Sequence, residues 1–261
     1  NIMIILYEIL SFFILILSPI IFLYRILINK EHKTRFLEKL SISSKYSKNE
    51  KIIWFHCCSV GELRSIIPLI KKLESKHKNK LILITTSTLS SSLIFNQEKF
   101  KKAIHQFFPI DNYFLTNKFI NYWKPSVAIF VESEVWPSMF YNLKNKNIPL
   151  ILLNARITNK SYKKWRKIES FSTKIFNKID LALPQNNETK KYLKELGVNN
   201  VKSLGNLKYS SIENKKSFLK EKNIIKNFKK RLLICAASTH NGEEEIFVKS
   251  HLQLKKNHKK L

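Results

Sequence analysis

From residue 51 onward, short and almost wholly apolar runs recur, each followed by an amphipathic stretch. This alternation constrains the fold more than any other feature of the chain. A strand covered on both faces reads as a continuous apolar run, and pairing it in parallel with the next requires a crossover helix between them. Strands are predicted at Ile52–His56, Leu81–Thr86, Val127–Val131, Leu150–Leu153, Leu181–Pro184, Val201–Leu204 and Leu232–Ala236. Leu63, Ile66, Ile67, Ile70 and Leu73 fall at steps of three and four and predict a helix with one apolar face, kinked or delayed by Pro68. Thr189–Leu196 predicts another, capped by Asn186 or Asn187 and ended by Gly197 at C′. The expected class is α/β, a doubly wound parallel sheet, whose ligands sit beyond the carboxyl ends of the strands.

The sheet is preceded by a different kind of sequence. From Ile2 to Tyr24 the only charge is Glu8, and the uncharged core Ile9–Tyr24 is slightly short of the roughly 20 residues that span hydrocarbon. With Ile2–Leu6 included, a span becomes feasible. The following flank is net basic, with Arg25, Lys30, Lys33, Arg35 and Lys39 against Glu31 and Glu38, which places the rest of the chain on the cytoplasmic side. No basic segment precedes the apolar run and no small-x-small cleavage site follows it, so an uncleaved anchor, spanning or interfacial, is expected over 1–29. That run is expected to pack into lipid rather than core, so that a chain lacking residues up to Lys30 still folds.

The chain carries 47 Lys and Arg against 19 Asp and Glu, a net charge of +28. Much of the excess is Lys scattered among Asn and Ile, as in NLKNKNIPL and LKKNHKKL, a pattern that coding bias also produces. The remainder would draw anionic membranes, nucleic acid or phosphorylated substrates over about 8–10 Å. The basic residues form no stripe interleaved with aromatics, so nucleic acid is not an expected partner. Three cysteines, Cys57, Cys58 and Cys235, make no disulfide framework and suit a reducing compartment.

The predicted strands deliver chemically loaded loops. HCCSVGELRS runs from a strand into a helix, with Ser59 and Gly61 at the turn and Glu62 in the first helical turn, where it either caps the helix or acts in a site. FVESEVWPSM places Glu132 and Glu134 two residues apart, on one face if the strand persists. Two carboxylates after a buried strand must be solvated, paired or functional. LLNARITNKSY places Asn154 and Arg156 at a strand end, where Arg would hold a carboxylate or phosphate, or pair with one of the glutamates. SLGNLKYS puts Lys208 just after Gly205, a position suited to meeting developing negative charge. In LICAASTHNGEEEIF, Ser238 or Thr239 is a candidate N-cap, with Glu243 to Glu245 in the turn that follows.

No metal site is expected. His240 lacks a second His four residues away, and Cys57 and Cys58 beside His56 lack the spacing that lets two thiolates reach one ion. There is also no Walker-type or GxGxxG loop, so phosphates must be met by helix N-termini and basic side chains.

Taken in order, the apolar N-terminus, SVGE, ESEVWP, ILLNARI, LGNLKY and AASTHNGEEE resemble the 3-deoxy-D-manno-octulosonic acid (Kdo) transferases of bacterial lipopolysaccharide synthesis, over nearly the whole chain. The resemblance implies a two-domain GT-B glycosyltransferase on the cytoplasmic face of the inner membrane, moving Kdo from CMP-Kdo to a lipid A precursor. It implies an inverting reaction without metal or other cofactor. By matching motif, Glu62 would be the general base on the acceptor hydroxyl, and Glu132 and Lys208 would stabilise the transition state. Ser59, Gly61, Glu134, Asn154, Arg156, Ser238, Thr239, His240 and Glu243 would bind substrate. A helix N-terminus favours ionised Glu62, so burial or a neighbouring carboxylate such as Glu132 must raise its basicity.

On this reading residues 30–50 are a basic juxtamembrane segment, 51–215 an acceptor domain and 216–261 the beginning of a donor domain. The chain would then be a fragment that does not turn over CMP-Kdo by itself. Cys57 and Cys58, Ser133 between the glutamates, and Pro184 before Gln185 depart from the family pattern. The rival readings are a membrane-associated GT-B enzyme using another nucleotide sugar, and a membrane-tethered basic binding protein.

Overall fold

The computed structural model describes residues 2–43, 50–77, 79–207 and 234–258. The chain divides into two compact units, residues 1–211 and 212–261. The first unit is built on a single six-stranded sheet: β1 Lys51–Cys57, β2 Lys80–Thr86, β3 Ala103–Phe107, β4 Val127–Val131, β5 Leu150–Ala155 and β6 Leu181–Pro184. Its order is β3-β2-β1-β4-β5-β6, and every pairing is parallel. The direction of winding therefore reverses between β1 and β4, which opens a crevice at their carboxyl ends.

Alternate residues of β1 face opposite cores. Ile52 and Trp54 join one that also takes Phe119, Trp123, Phe130, Phe140 and Leu193. Ile53, Phe55 and Cys57 join the other, with Leu63, Ile66 and Ile70 from the helix after β1. That helix, α2 Val60–Lys76, buries the predicted apolar face and contains Pro68 in its body. α3 Leu89–Gln97 lies on the same side of the sheet. On the other side are α4 Tyr113–Trp123, α5 Pro137–Asn145, α7 Glu169–Phe176 and α8 Asn187–Glu195, with α6 Asn159–Arg166 packed beside α7. α8 is capped by the Asn186 side chain, which accepts the Thr189 N–H at 2.8 Å, and Gly197 follows at φ +102°. A Cβ there would meet Thr173 Cγ2 at 3.0 Å besides entering the left-handed region. Gly197→Ala is expected to lower stability by about 1–2 kcal/mol, read as a fall in the urea midpoint with unchanged m-value.

β3 has no counterpart among the predicted strands. Its apolar run is broken by two buried polar residues, His105 and Gln106: the His105 ring meets Thr86 Oγ1 at 2.9 Å and Arg35 Nη2 at 2.9 Å, and Gln106 Nε2 donates to Ser43 Oγ at 3.2 Å. The predicted strand at Val201–Leu204 reduces to one bridge between Val201 and Ala182, and residues 202–206 carry no strand pairing. Leu232 and Leu233 lie outside the described residues, while Ile234–Ala236 are exposed and unpaired as strand.

The N-terminal run forms α1, Ile2–Leu27, with a mean hydropathy of 2.5 over its most apolar window. It is long and apolar enough to cross a membrane, a test that signal sequences also pass. Contrary to the expectation that this run packs into lipid rather than core, part of it packs on the domain. Ile4 and Tyr7 pack against the larger core, Tyr7 Oη donates to Asp111 Oδ2 at 2.6 Å, and Glu8 Oε1 accepts from Ser138 Oγ at 2.6 Å. The helix is docked because its few polar groups find matched partners on the domain.

In the second unit the described residues form one helix, α9 Glu243–Asn257. Its N-cap is Gly242, at φ +93°, rather than Ser238 or Thr239. Thr239 Oγ1 instead donates to Glu244, and Glu243 Oε2 accepts the His240 N–H at 2.8 Å, so the acidic first turn ties down the loop before it.

Candidate active site

β1 ends at Cys57 and the chain turns through Ser59, the N-cap of α2. Ser59 Oγ accepts the Glu62 N–H at 3.3 Å and donates to Glu62 Oε1 at 3.1 Å. Glu62 Oε2 accepts the Cys58 N–H at 2.7 Å. Glu62 is thus a capping residue, and the capping geometry is what aims its carboxylate into the crevice. Two main-chain and hydroxyl donors favour its ionised form, yet half-burial, and then the Glu134 charge, push its pKa up to about 7. The neighbouring carboxylate that matters most is Glu134, with Glu132 a lesser influence, a change from the sequence expectation. Gly61 is exposed in the first turn of α2, and a Cβ there would meet only Ser59 Oγ at 3.9 Å, so space alone does not demand glycine.

The strand conformation does not persist through the two glutamates after β4. Glu132 sits at φ +61°, its N–H donating to Leu153 O at 2.9 Å and its carbonyl accepting the Arg156 N–H at 3.2 Å. A buried non-glycine residue in the left-handed region is strained, and here two bonds to β5 and its loop hold it there. The turn sends Glu134 elsewhere. Its Oε2 accepts from Trp136 Nε1 at 2.8 Å and lies 3.3 Å from His56 Nε2. His56 is fully buried, stacked on Phe108 at 3.9 Å, with Nδ1 3.0 Å from Thr85 Oγ1. Burial lowers its pKa, so the imidazole is neutral, and the carboxylate opposite assigns the ring proton to Nε2. Glu134 is thereby fixed beside Glu62.

Asn154 and Arg156 flank the next strand end. Asn154, at φ +51° where the β5 register shifts, is buried, and its Oδ1 accepts the Leu207 N–H at 3.1 Å. It holds the segment leading to residue 208 against the sheet. Arg156 has its main chain engaged with Glu132 and with Ser133 Oγ, at 2.8 Å, and its side chain is exposed at the rim. Lys208 lies outside the described residues. Ser238, Thr239, His240 and Glu243 belong to the second unit. The crevice therefore unites Ser59, Gly61, Glu62, Glu132, Glu134, Asn154 and Arg156, all at the carboxyl ends of β1, β4 and β5.

Sequence reasoning overlooked His56 as a site residue, and it also overlooked Trp136 and Asp111. Trp136, whose Nε1 donates to Glu134, also lines a cavity of roughly 290 Å³ together with Leu10, Ile14, Lys39, Phe108, Ile110 and Asp111 among others. The lining is mostly apolar, and α1 forms one wall of it. Among the described residues no group of three or more His, Cys, Asp or Glu side chains is arranged to hold a metal ion.

Residues 34–211, more than half of the chain, match the family model described as 3-deoxy-D-manno-octulosonic-acid transferase (kdotransferase). The chain belongs to the Kdo transferase family. A Kdo transferase of Rickettsia bellii is 35% identical over 96% of this chain and 60% of its own length. One from Haemophilus influenzae is 33% identical over 77% of this chain and 48% of its own. The chain thus spans about half to three-fifths of the length of these Kdo transferases. Among solved structures, the UDP-GlcNAc 2-epimerase of Neisseria meningitidis aligns with a TM-score of 0.55 at 15% identity, covering 81% of this chain and 63% of that one. At that identity the likeness establishes the fold alone, which is α/β and GT-B-like.

Proposed function

We propose that this Kdo transferase chain supplies the acceptor half of an enzyme that moves Kdo from CMP-Kdo to a lipid A precursor at the cytoplasmic face of the bacterial inner membrane. The observation that carries the reading is the Glu62 carboxylate. It lies at the switch point of the sheet, held by Cys58 and Ser59, with its pKa pushed up to about 7 by burial and by Glu134. A sugar hydroxyl is a poor nucleophile until its proton is taken, and a base works best with a pKa near the operating pH. Glu62 takes that proton as the hydroxyl oxygen bonds to the anomeric carbon of Kdo from the face opposite the phosphate. The phosphate leaves with the bonding electron pair as CMP, so the configuration inverts and no metal is required. Glu132, held rigid at its strained turn, meets positive charge developing on the sugar, and Lys208 meets the negative charge of the departing CMP. Arg156 at the rim suits a phosphate of the acceptor. The apolar cavity beside Trp136 suits part of an acyl chain. Residues beyond the first unit, Ser238, Thr239, His240 and Glu243 among them, serve the donor.

The test is transfer from CMP-Kdo to a lipid A precursor as a function of pH, in a protein with the full length of its relatives. The rate is expected to rise with pH and level off above about 7, because only ionised Glu62 accepts a proton. Stability runs the other way. A carboxyl whose folded pKa is above its unfolded value of about 4.3 holds extra protons in the folded state, so stability falls as pH rises from about 4 to about 7. Glu134→Gln removes the charge that helps raise Glu62 and is expected to move the acidic limb of the rate profile to lower pH. A limb that does not move in Glu134→Gln, or product formed only from another nucleotide sugar, would overturn the assignment.

A further inference from the structure

The polar side chains of α1 are not spread around it. Ile4, Tyr7, Ser11, Leu15, Ser18, Phe22 and Arg25 fall at steps of three and four, with Glu8 beside Tyr7 and four after Ile4, and each is buried or half-buried, whereas the residues between them are exposed. Of the polar residues in the helix, Tyr7, Glu8, Ser11, Ser18 and Arg25 lie on this stripe, and Tyr24 alone among the hydroxyl-bearing and charged ones does not. The stripe is met by the domain near both ends. Tyr7 and Ser11 bond Asp111 and Asn112, Glu8 accepts from Ser138 and from the Tyr113 N–H, and Phe22 packs on Phe36 at 5.6 Å. The opposite faces expose Ile5, Ile9, Phe12, Phe13, Ile16 and Ile20.

A surface helix of a water-soluble protein turns its apolar side inward; α1 does the reverse. Its outward faces therefore have lipid as their partner. From Ile4 to Arg25 an α-helix rises roughly 32 Å, about the full thickness of the hydrocarbon layer. Were α1 to cross the bilayer while docked, Asp111 and the amino ends of α4 and α5 would be carried into the hydrocarbon with it. Were it to undock and cross alone, Glu8 would enter lipid without Ser138 or the Tyr113 N–H, and polar groups in that medium must keep their partners. Phe114, 70% exposed beside Tyr113, continues the apolar surface from the helix onto the domain.

We propose that α1 lies in the plane of the membrane interface, its polar stripe on the domain and its apolar flanks in lipid, with both ends on the side that holds the domain. This rests on the membrane association proposed above, and the experiment separates the two. The full chain, with the exposed or half-exposed thiols changed by Cys58→Ser and Cys235→Ser, receives single cysteines by Ile5→Cys, Ile16→Cys or Leu27→Cys. Each is labelled with a fluorophore and bound to vesicles of phosphatidylethanolamine and phosphatidylglycerol. Quenching by lipids spin-labelled near the headgroup, relative to lipids labelled near the chain end, is expected to be the same for all three sites. A mid-helix label quenched mainly from the chain end, with both terminal labels quenched from the headgroups, overturns the proposal while leaving membrane association intact. Absence of vesicle binding overturns both. As a check that needs no fluorophore, a cysteine placed by Ile2→Cys is expected to react with an impermeant maleimide in inside-out membrane vesicles and not in right-side-out spheroplasts; the converse result also overturns the proposal.

Discussion

In a Kdo transferase of the full length of its relatives, Glu62→Gln is expected to slow single-turnover transfer by about 10²–10⁴ while leaving donor and acceptor binding nearly unchanged. The site geometry makes the comparison clean. The Gln carbonyl oxygen can still accept the Cys58 N–H that Glu62 Oε2 accepts at 2.7 Å, so the turn into α2 survives. What is lost is the ability to take a proton. A residue that only capped the helix would forfeit less than about 1 kcal/mol of stability on the same change and leave the rate intact. Transfer measured with saturating substrates, beside thermal melts of both proteins, separates the two roles. Near-normal turnover in Glu62→Gln would leave the carboxylate with its capping role and shift attention to Glu132.

The largest expected effect on stability lies away from the crevice glutamates. α5 begins at Pro137, and the residue before it, Trp136, offers no side-chain cap. Asp111 caps the helix from a distant loop, Oδ2 accepting the Ser138 N–H at 3.0 Å and Oδ1 the Met139 N–H at 2.8 Å, while Oδ2 also accepts from Tyr7. Asp111→Ala would leave these buried donors without an acceptor and is expected to lower unfolding free energy by about 2–4 kcal/mol. Tyr7→Phe removes only the bond to α1 and is expected to lower it by about 1 kcal/mol. Urea unfolding in mild detergent measures both; equal effects would mean that capping of α5 contributes little. The same network explains why removing α1 is not neutral: the domain would lose Ile4 and Tyr7 from its core and a partner from Asp111.

The central strands were legible because each is apolar on both faces, and Glu62 and Glu132 were legible because a carboxylate directly after such a run stands out. β3 was not, since the burial of His105 and Gln106 depends on Thr86 and on the segment before the sheet, contacts that no local pattern encodes. His56 escaped for a similar reason. Its meaning as a site residue comes from Glu134, 78 residues away along the chain. The docking of α1 was hidden differently. An apolar run of that length reads as a lipid segment whichever way its few polar residues point, and only the partners Asp111, Asn112 and Ser138 show that they point at the domain.

The carboxylates follow β1 and β4, Glu62 in the first turn of α2 and Glu132 and Glu134 in the turn after β4; the two strands are neighbours in the sheet, and the Ser126 hydroxyl donates to the Ile52 carbonyl across 74 residues of chain. Between them in the chain lie β2, β3 and three helices. Closing so long a loop is entropically unfavourable until the intervening segments have packed. The crevice carboxylates are therefore brought together by contacts of long sequence separation, not by any local turn. The geometry of the crevice thus depends on the packing of the outlying strands β2 and β3 as well as on the residues that line it.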